Sequence, residues 1–252
     1  MIKYKILSSM ISSGGYRTVL DSILKLSKVK DSSYICVSNV HMLIESYKSK
    51  NFNAILNEAD ISTPDGMPLA RAMKLLYGIN QDRISGMDLM PDIMKISEKQ
   101  NLSIFMYGST DEVLDKIITK AKEEFLGLTL TTYSPPFKVL SIKEKEDIVT
   151  LINAKEPDFV FVALGCPKQE KWMAEHKGKI NSCMIGLGGA LEVYAGVKER
   201  APKWMQDNSL EWLYRLKQDP KRLWKRYFVT NTLFIILFIN QFIKIRIFKR
   251  FD

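Results

Sequence analysis

The strongest constraint on the fold comes from residues 158–164, where one aspartate is followed by six consecutive apolar side chains. A strand that is apolar on both faces is typical of the centre of a parallel sheet, which needs helices on both sides. Short apolar runs alternate with helical patterns along the rest of the chain, with further strands predicted at 34–37, 103–107, 128–132 and 182–187. The sequence therefore predicts an α/β fold, with a mostly parallel, Rossmann-like sheet covered by helices on both faces.

The composition argues against several classes of protein and site. A chain of 252 residues with 46% hydrophobic residues can bury a sizeable core. Its three cysteines show no CxxC spacing, which indicates buried thiols in a reducing compartment rather than disulfides or a zinc site. With only two histidines and no Asp-x-Asp pair, the sequence predicts no resident metal ion. We also expect no dinucleotide cofactor, because the glycines do not match the GxGxxG pattern.

The positive charge is concentrated near the C-terminus. Residues 198–252 carry 13 Lys and Arg against 5 Asp and Glu, whereas residues 1–197 carry 24 against 23. We therefore predict an α/β catalytic body over 1–197 and a basic helical appendage over 198–252. Such asymmetry is typical of a protein that binds a polyanion, either a membrane surface or a nucleic acid.

The appendage carries the features of a membrane-surface helix. One helix is predicted over 204–218, and a second begins after the pair Asp219-Pro220. The apolar run over 228–239 is shorter than the roughly 20 residues of a spanning helix and is followed by Asn, Gln and basic residues. This pattern favours an interfacial helix whose Lys and Arg meet anionic lipid, the alternative being a core or dimerisation helix. No signal peptide is evident at the N-terminus, so we expect the protein on the cytoplasmic face of the membrane.

One candidate catalytic residue lies at a predicted strand-to-helix bend. Asp65 stands in the sequence Ser-Thr-Pro-Asp-Gly-Met-Pro at 62–68, between an apolar run and a helical pattern. Open α/β sheets bind their ligands outside the carboxyl ends of the strands. A carboxylate held there is a candidate general base, although an aspartate that only caps the helix would show the same pattern.

Polar or glycine residues also follow the other predicted strands. Ser38 and Asn39 end one strand, Gly108 ends another, and Gln169 lies in the first turn of a helix that follows the 158–164 strand. Each has an ordinary structural alternative, such as a helix cap or a tight turn. Arg83 has no acidic partner at i+3 or i+4, so the pattern is compatible with phosphate or carboxylate binding, although a solvated surface arginine is the default interpretation.

The motifs also form an ordered set along the chain. In sequence order they are Thr63-Pro64-Asp65-Gly66-Met67-Pro68, Arg83 with Gly86-Met87-Asp88, Tyr107-Gly108, Gly165-Cys166-Pro167-Lys168-Gln169-Glu170, Gly186-Leu187-Gly188-Gly189-Ala190 with Ala195-Gly196, and Arg200-Ala201-Pro202 through Glu211-Trp212-Leu213-Tyr214-Arg215-Leu216. From about residue 34 to about residue 230 this set resembles the WecG/TagA/CpsF glycosyltransferases. The resemblance implies an inverting, metal-independent transfer of N-acetylmannosamine, or its uronic acid, from UDP. The implied acceptor is undecaprenyl-diphosphate-linked N-acetylglucosamine, in teichoic acid or surface polysaccharide synthesis.

The resemblance also implies residue roles. Asp65 would act as general base, and arginines of the appendage would stabilise the departing diphosphate in place of a metal ion. The implied catalytic set is Asp65, Arg83, Arg215, Arg222 and Arg226, and the implied substrate-binding set is Ser38, Asn39, Thr63, Gly108, Gln169, Gly188 and Glu192. Relatives often carry Thr at the position of Ser38 and Asp at that of Glu192.

Two other functions are compatible with the same sequence. A transferase of the same fold could use another UDP-hexose for a capsular or exopolysaccharide repeat unit. A basic module that binds lipid or nucleic acid without catalysis would belong to a different class. We favour the glycosyltransferase, with a UDP-sugar, a lipid-linked acceptor and an anionic membrane as partners. Under this hypothesis nucleic acid is not a partner, and a homo-oligomer is left open.

Overall fold

A computed structural model describes residues 1–247, so Lys249 and Arg250 of the predicted basic tail lie outside the described residues. The strands are β1 Lys3–Ile6, β2 Ser9–Ser12, β3 Ser33–Ser38, β4 Ile61–Pro64, β5 Ser103–Gly108, β6 Thr129–Tyr133, β7 Phe159–Ala163 and β8 Cys183–Gly186. The helices of the body are α1 Tyr16–Val29, α2 Val40–Lys48, α3 Lys50–Glu58, α4 Met67–Tyr77, α5 Gly86–Gln100, α6 Asp111–Glu124, α7 Ile142–Asn153, α8 Lys168–His176 and α9 Ala190–Tyr194. The appendage contains α10 Lys203–Asp207, α11 Glu211–Gln218 and α12 Pro220–Phe242.

The predicted parallel sheet is confirmed. Six strands pair in the order β4-β3-β8-β7-β5-β6, and every pairing between them is parallel. The 158–164 run supplies β7, which lies between β8 and β5 near the middle of the sheet. Because all six strands point the same way, their carboxyl ends meet along one edge. The candidate residues that follow β3, β4, β5, β7 and β8 are therefore gathered at that edge.

Two apolar cores lie on opposite faces of the sheet. One contains Ile23 of α1, Ile93 of α5 and Ile117 of α6, and the other contains Leu43 of α2 and Met73 of α4. The inward side chains of alternate strand residues separate into the same two cores. Helices therefore cover both faces, as the sequence predicts. The N-terminal hairpin β1-β2 is a separate two-stranded antiparallel sheet.

The appendage is divided into more helices than the sequence pattern indicated. The predicted helix over 204–218 is interrupted at 208–210, where Ser209 adopts a left-handed conformation with φ of 63°. A second break occurs at Asp219, so α11 and α12 do not form one continuous helix. Consequently Arg215 and Arg222 do not share a helix face.

Helix α12 lies along the body, with one side packed against the protein and the other side exposed. Phe234 is buried in the same core as Met42 and Leu43 of α2. Near the end of the helix, Gln241 Nε2 donates to Lys5 O at 2.9 Å and Gln241 Oε1 accepts from Leu7 N at 2.8 Å. Asn240 and Gln241 thus continue the helix rather than end it, and its last turn, Ile243–Ile247, is π-helical.

By length and apolar composition, Pro220–Arg246 is the one helix among residues 1–247 that could cross a membrane. Helices in the cores of soluble proteins can also meet this criterion, but only 17% of its most apolar window is buried here. The outward side carries Trp224, Phe228, Ile235 and Ile239, which are 51–71% exposed. Since these positions recur at helical spacing opposite the buried Phe234, α12 has an unpartnered apolar face.

Candidate active site

Asp65 lies where the sequence predicts it, on the bend between β4 and α4. Its backbone N–H donates to Ser38 O at 2.7 Å, which ties the bend to the end of β3. Gly66 follows with φ of 94°, a conformation that a residue with a Cβ rarely adopts, and Pro68 lies in the first turn of α4. The half-buried Asp65 side chain lines a cleft between the body and the appendage.

The environment of Asp65 raises its proton affinity. Burial and the nearby Glu211 carboxylate raise the pKa of Asp65 to about 7, while Arg215 and Arg83 act in the opposite direction. A carboxylate with a pKa near neutral pH is a stronger base than a solvated one. Asp65 is therefore suited to accept a proton from a hydroxyl group bound in the cleft.

Two residues predicted to contact substrate are buried next to the Asp65 bend and are not among the residues that line the cleft. Ser38 is fully buried, and its hydroxyl lies 2.7 Å from the hydroxyl of Ser62. Thr63 is equally buried and donates to Ile84 O at 3.3 Å. Asn39 does line the cleft, although its Oδ1 also accepts from Met42 N and caps α2.

Arg83 is already paired, contrary to the expectation drawn from its sequence neighbours. Its guanidinium donates to Asp88 at 3.0 Å and to Glu211 at 2.9 Å, and also to the Gln206 side chain at 2.7 Å. The partners were not found at i+3 or i+4 because Asp88 is five residues away and Glu211 belongs to the appendage. Arg83 therefore joins the body to α10 and α11.

Arg226 differs from the other arginines predicted for the site. It lines the cleft, makes no ion pair with the described residues, and its buried Nε has no hydrogen-bond partner among them. Burial lowers its pKa from the usual high range. Arg215 also lines the cleft but is paired with Glu211 at 2.6 Å, whereas Arg222 lies outside it, 63% exposed and paired with Asp219. Arg226 is thus the cation best placed for an incoming anion.

His41 was not identified from the sequence. It follows Asn39 in the first turn of α2 and lines the cleft, and its buried Nδ1 has no partner among the described residues. Burial and the nearby Arg226 and Lys48 lower the pKa of His41 to about 4, so the imidazole is neutral. Two orphaned buried nitrogens, one each from His41 and Arg226, are typical of a polar binding site.

The remaining predicted residues form a second group at the ends of β5, β7 and β8, and none of them lines the cleft. A Cβ on Gly108 would lie 2.7 Å from Ala163 O, so close contact between β5 and β7 requires glycine there. Gln169 is buried, and its side chain accepts from Gly165 N and donates to Glu170. It also packs against the Gly188 turn. Glu192 is paired with Lys198 at 2.6 Å.

Glu211 is a further cleft residue to which the sequence pattern assigned no role. It accepts from Arg215 on its own helix and from Arg83 of the body. The first pair follows from i,i+4 spacing and could have been read from the sequence. The second joins residues 128 positions apart, which only the fold reveals. No group of three or more His, Cys, Asp or Glu side chains within residues 1–247 is arranged to hold a metal ion.

Comparison of the sequence with known proteins identifies a family and several relatives. The sequence profile described as "Glycosyl transferase WecG/TagA/CpsF family" matches residues 4–247. The chain is 31% identical over 195 residues to the N-acetylglucosaminyldiphosphoundecaprenol N-acetyl-beta-D-mannosaminyltransferase of Bacillus spizizenii, covering 77% of this chain and 74% of that protein. Proteins of the same name from Bacillus subtilis strain 168 and Staphylococcus aureus strain MW2 are 30% and 29% identical, covering 78% and 75% of this chain and 75% and 74% of their own lengths. This chain therefore belongs to the WecG/TagA/CpsF family of glycosyltransferases.

Proposed function

We propose that the protein transfers N-acetylmannosamine from a UDP donor to N-acetylglucosamine linked to undecaprenyl diphosphate, with inversion at the transferred carbon. The observation that carries this proposal is the pairing, in one cleft, of a carboxylate with raised proton affinity and an unpaired arginine. A sugar transfer needs both, because a hydroxyl must lose its proton while a diphosphate gains charge. The names of the relatives support this acceptor and this sugar.

In the proposed reaction, Asp65 accepts the proton from the acceptor hydroxyl. The hydroxyl oxygen forms the new bond to the sugar C1 atom, and the bond between C1 and the β-phosphate oxygen of UDP breaks on the opposite face. Negative charge develops on the leaving diphosphate, where Arg226 supplies the compensating cation. Arg215 and Arg222 would assist, the first from the cleft wall and the second after release from Asp219.

The second group of residues is proposed to hold the nucleotide. The turns at Gly108 and Gly188 stand at the same sheet edge as Asp65, which is where nucleotides bind in open parallel sheets. Gln169 would act by holding the Gly188 turn, and Glu192 by accepting hydrogen bonds from the ribose. Ser38 and Thr63 would contribute by supporting the bend that carries Asp65.

A donor panel tests the proposed function. We expect the purified protein to release UDP from UDP-N-acetylmannosamine only when a short-chain lipid-diphosphate-N-acetylglucosamine is present. Turnover should persist in a metal chelator, because the compensating charges are guanidinium groups. Turnover with a different UDP-hexose would support the capsular or exopolysaccharide alternative. If no UDP-sugar reacts, the glycosyl transfer proposed here is wrong and a non-catalytic binding module is favoured.

We further propose that the chain consists of a body over 1–197 and a distinct appendage over 198–252. Within the appendage, α12 would bind the cytoplasmic face of the membrane peripherally. Its outer face is apolar, and the exposed Lys221 and Lys225 can meet anionic headgroups. A spanning orientation would require the helix to leave the body, which would break the contacts of Phe234, Gln241 and Arg246. An interfacial orientation keeps all of them.

Replacing Ile235 and Ile239 together by Asp should reduce binding to anionic vesicles by at least about tenfold, because two apolar side chains proposed to enter the lipid are replaced by negative charges. Cosedimentation with vesicles measures this effect. Val139→Asp is the matched control, since Val139 is 96% exposed and lies in the segment between β6 and α7 rather than on α12. Equal loss in the control would contradict a specific role for α12. Wild-type protein that resists extraction by high salt and alkali would instead indicate a spanning helix.

A further inference from the structure

Asp65 faces two arginines that would weaken it as a base if they were unpaired. Arg215 and Arg83 both lower the proton affinity of Asp65. A guanidinium close to a carboxylate favours its ionised form and commonly lowers its pKa by one unit or more. Within residues 1–247 no side chain donates a hydrogen bond to the Asp65 carboxylate, so a free guanidinium would meet no other donor there. A separate feature must therefore prevent the arginines from closing onto Asp65.

Glu211 is that feature. One carboxylate oxygen lies 2.9 Å from Arg83 Nη1 and the other lies 2.6 Å from Arg215 Nη2. The side chain is only 17% exposed and lines the same cleft as Asp65. Both oxygens are thus occupied by the two cations that would otherwise be free to pair directly with Asp65.

We propose that Glu211 is a positioning residue that engages Arg83 and Arg215, and so preserves the basicity of Asp65 while the appendage is docked. This inference rests on the proposed function, in which Asp65 is the general base. Glu211 belongs to α11 of the appendage, whereas Asp65 and Arg83 belong to the body. The carboxylate that holds Arg83 and Arg215 away from Asp65 is therefore supplied by the appendage.

The other charged groups of the cluster make Arg215 the decisive partner. Asp88 of α5 pairs with both Arg83 and Arg200, so Arg83 remains neutralised if Glu211 is lost. Arg215 makes its ion pair with Glu211, and Asp65 is the next carboxylate acting on it. From α12, Arg226 and Tyr227 line the same cleft, and His41 of α2 faces it as a neutral ring. Loss of the Glu211 charge should therefore turn Arg215 toward Asp65.

The test is Glu211→Gln, which keeps the size of the side chain and removes its charge. Carboxyl-carbon NMR titration of Asp65, in the protein without substrates, should show a midpoint about one pH unit or more below the wild-type value. The acid limb of kcat/KM should move to lower pH by the same amount, because Asp65 must be ionised to accept a proton. Glu211→Asp should restore part of the shift.

Two further variants separate this role from a purely structural one. Glu211→Gln combined with Arg215→Gln should return the Asp65 midpoint toward the wild-type value, since the released guanidinium is then absent. Glu199→Gln, which removes an appendage carboxylate bonded to Tyr214 outside the cleft, should leave the midpoint unchanged. An unchanged midpoint in Glu211→Gln would overturn the inference. That result is distinguishable from failure of the proposed function, which would be absence of sugar transfer by the wild-type protein.

Discussion

Asp65→Asn should reduce kcat on the order of a hundred- to ten-thousand-fold, the range expected when a general base is removed. An amide cannot accept the proton of the acceptor hydroxyl, but it retains the shape of the carboxylate and leaves the bend at Gly66 intact. The backbone bond from residue 65 to Ser38 O is also unaffected. Steady-state UDP release measures the loss in rate, and calorimetry with the UDP-sugar measures donor affinity, which we expect to stay within a few-fold of wild type.

The matched control for this substitution is Asp92→Asn. Asp92 accepts a hydrogen bond from Tyr16 at 2.6 Å and lies on α5, outside the cleft. An asparagine can accept the same bond, so rate and affinity should both be near wild type. Near-normal turnover by Asp65→Asn would remove the general-base role and with it the proposed mechanism.

Arg226→Gln should lower kcat/KM roughly a hundredfold, comparable to the loss of one preorganised donor at a developing negative charge. The reason is that Arg226 lines the cleft with its charge uncompensated, so the diphosphate is its natural counterion. Arg222→Gln should have a clearly smaller effect, because Arg222 is 63% exposed and already paired with Asp219. Kinetics of both variants with the same UDP-sugar provide the comparison.

The ranking of the two arginine variants is the informative result. An effect of Arg222→Gln equal to or larger than that of Arg226→Gln would mean that the appendage rearranges when substrate binds. The affinity of Arg222→Gln for UDP alone would then be measured. Weaker binding than in the wild-type protein would show that the rearranged appendage brings Arg222 to the diphosphate. A normal rate for both variants would contradict a diphosphate site formed by the appendage.

The features that could be predicted from the sequence are those set by local patterns. The apolar run within 158–164 indicates a central strand, because a strand that is buried on both faces shows no alternation of polar and apolar side chains. The bend at Asp65 is indicated by the Pro-Asp-Gly turn, and the sheet edge then follows from parallel pairing. These inferences need only short-range spacing together with general rules for α/β sheets.

The features that could not be predicted depend on contacts between distant parts of the chain. The pairing of Arg83 with Glu211 spans 128 positions, and no local spacing indicates it. Ser38 and Thr63 look like site residues in sequence because they end strands, yet in the structure both hydroxyls point into hydrogen bonds below the cleft. Whether a strand-end side chain faces the ligand or the sheet is decided by neighbouring strands.

The attachment of α12 has a consequence for how the enzyme meets its acceptor. Because the helix is fastened to the core at Phe234 and to the N-terminal hairpin at Gln241, its outer face has a defined orientation relative to the body. Insertion of this outer face into the membrane surface would then fix the height and the orientation of the whole protein relative to the bilayer. The distance from the lipid headgroups to the Asp65 carboxylate would then be constant. Acceptors whose sugar lies at a different distance from the membrane surface would not reach Asp65.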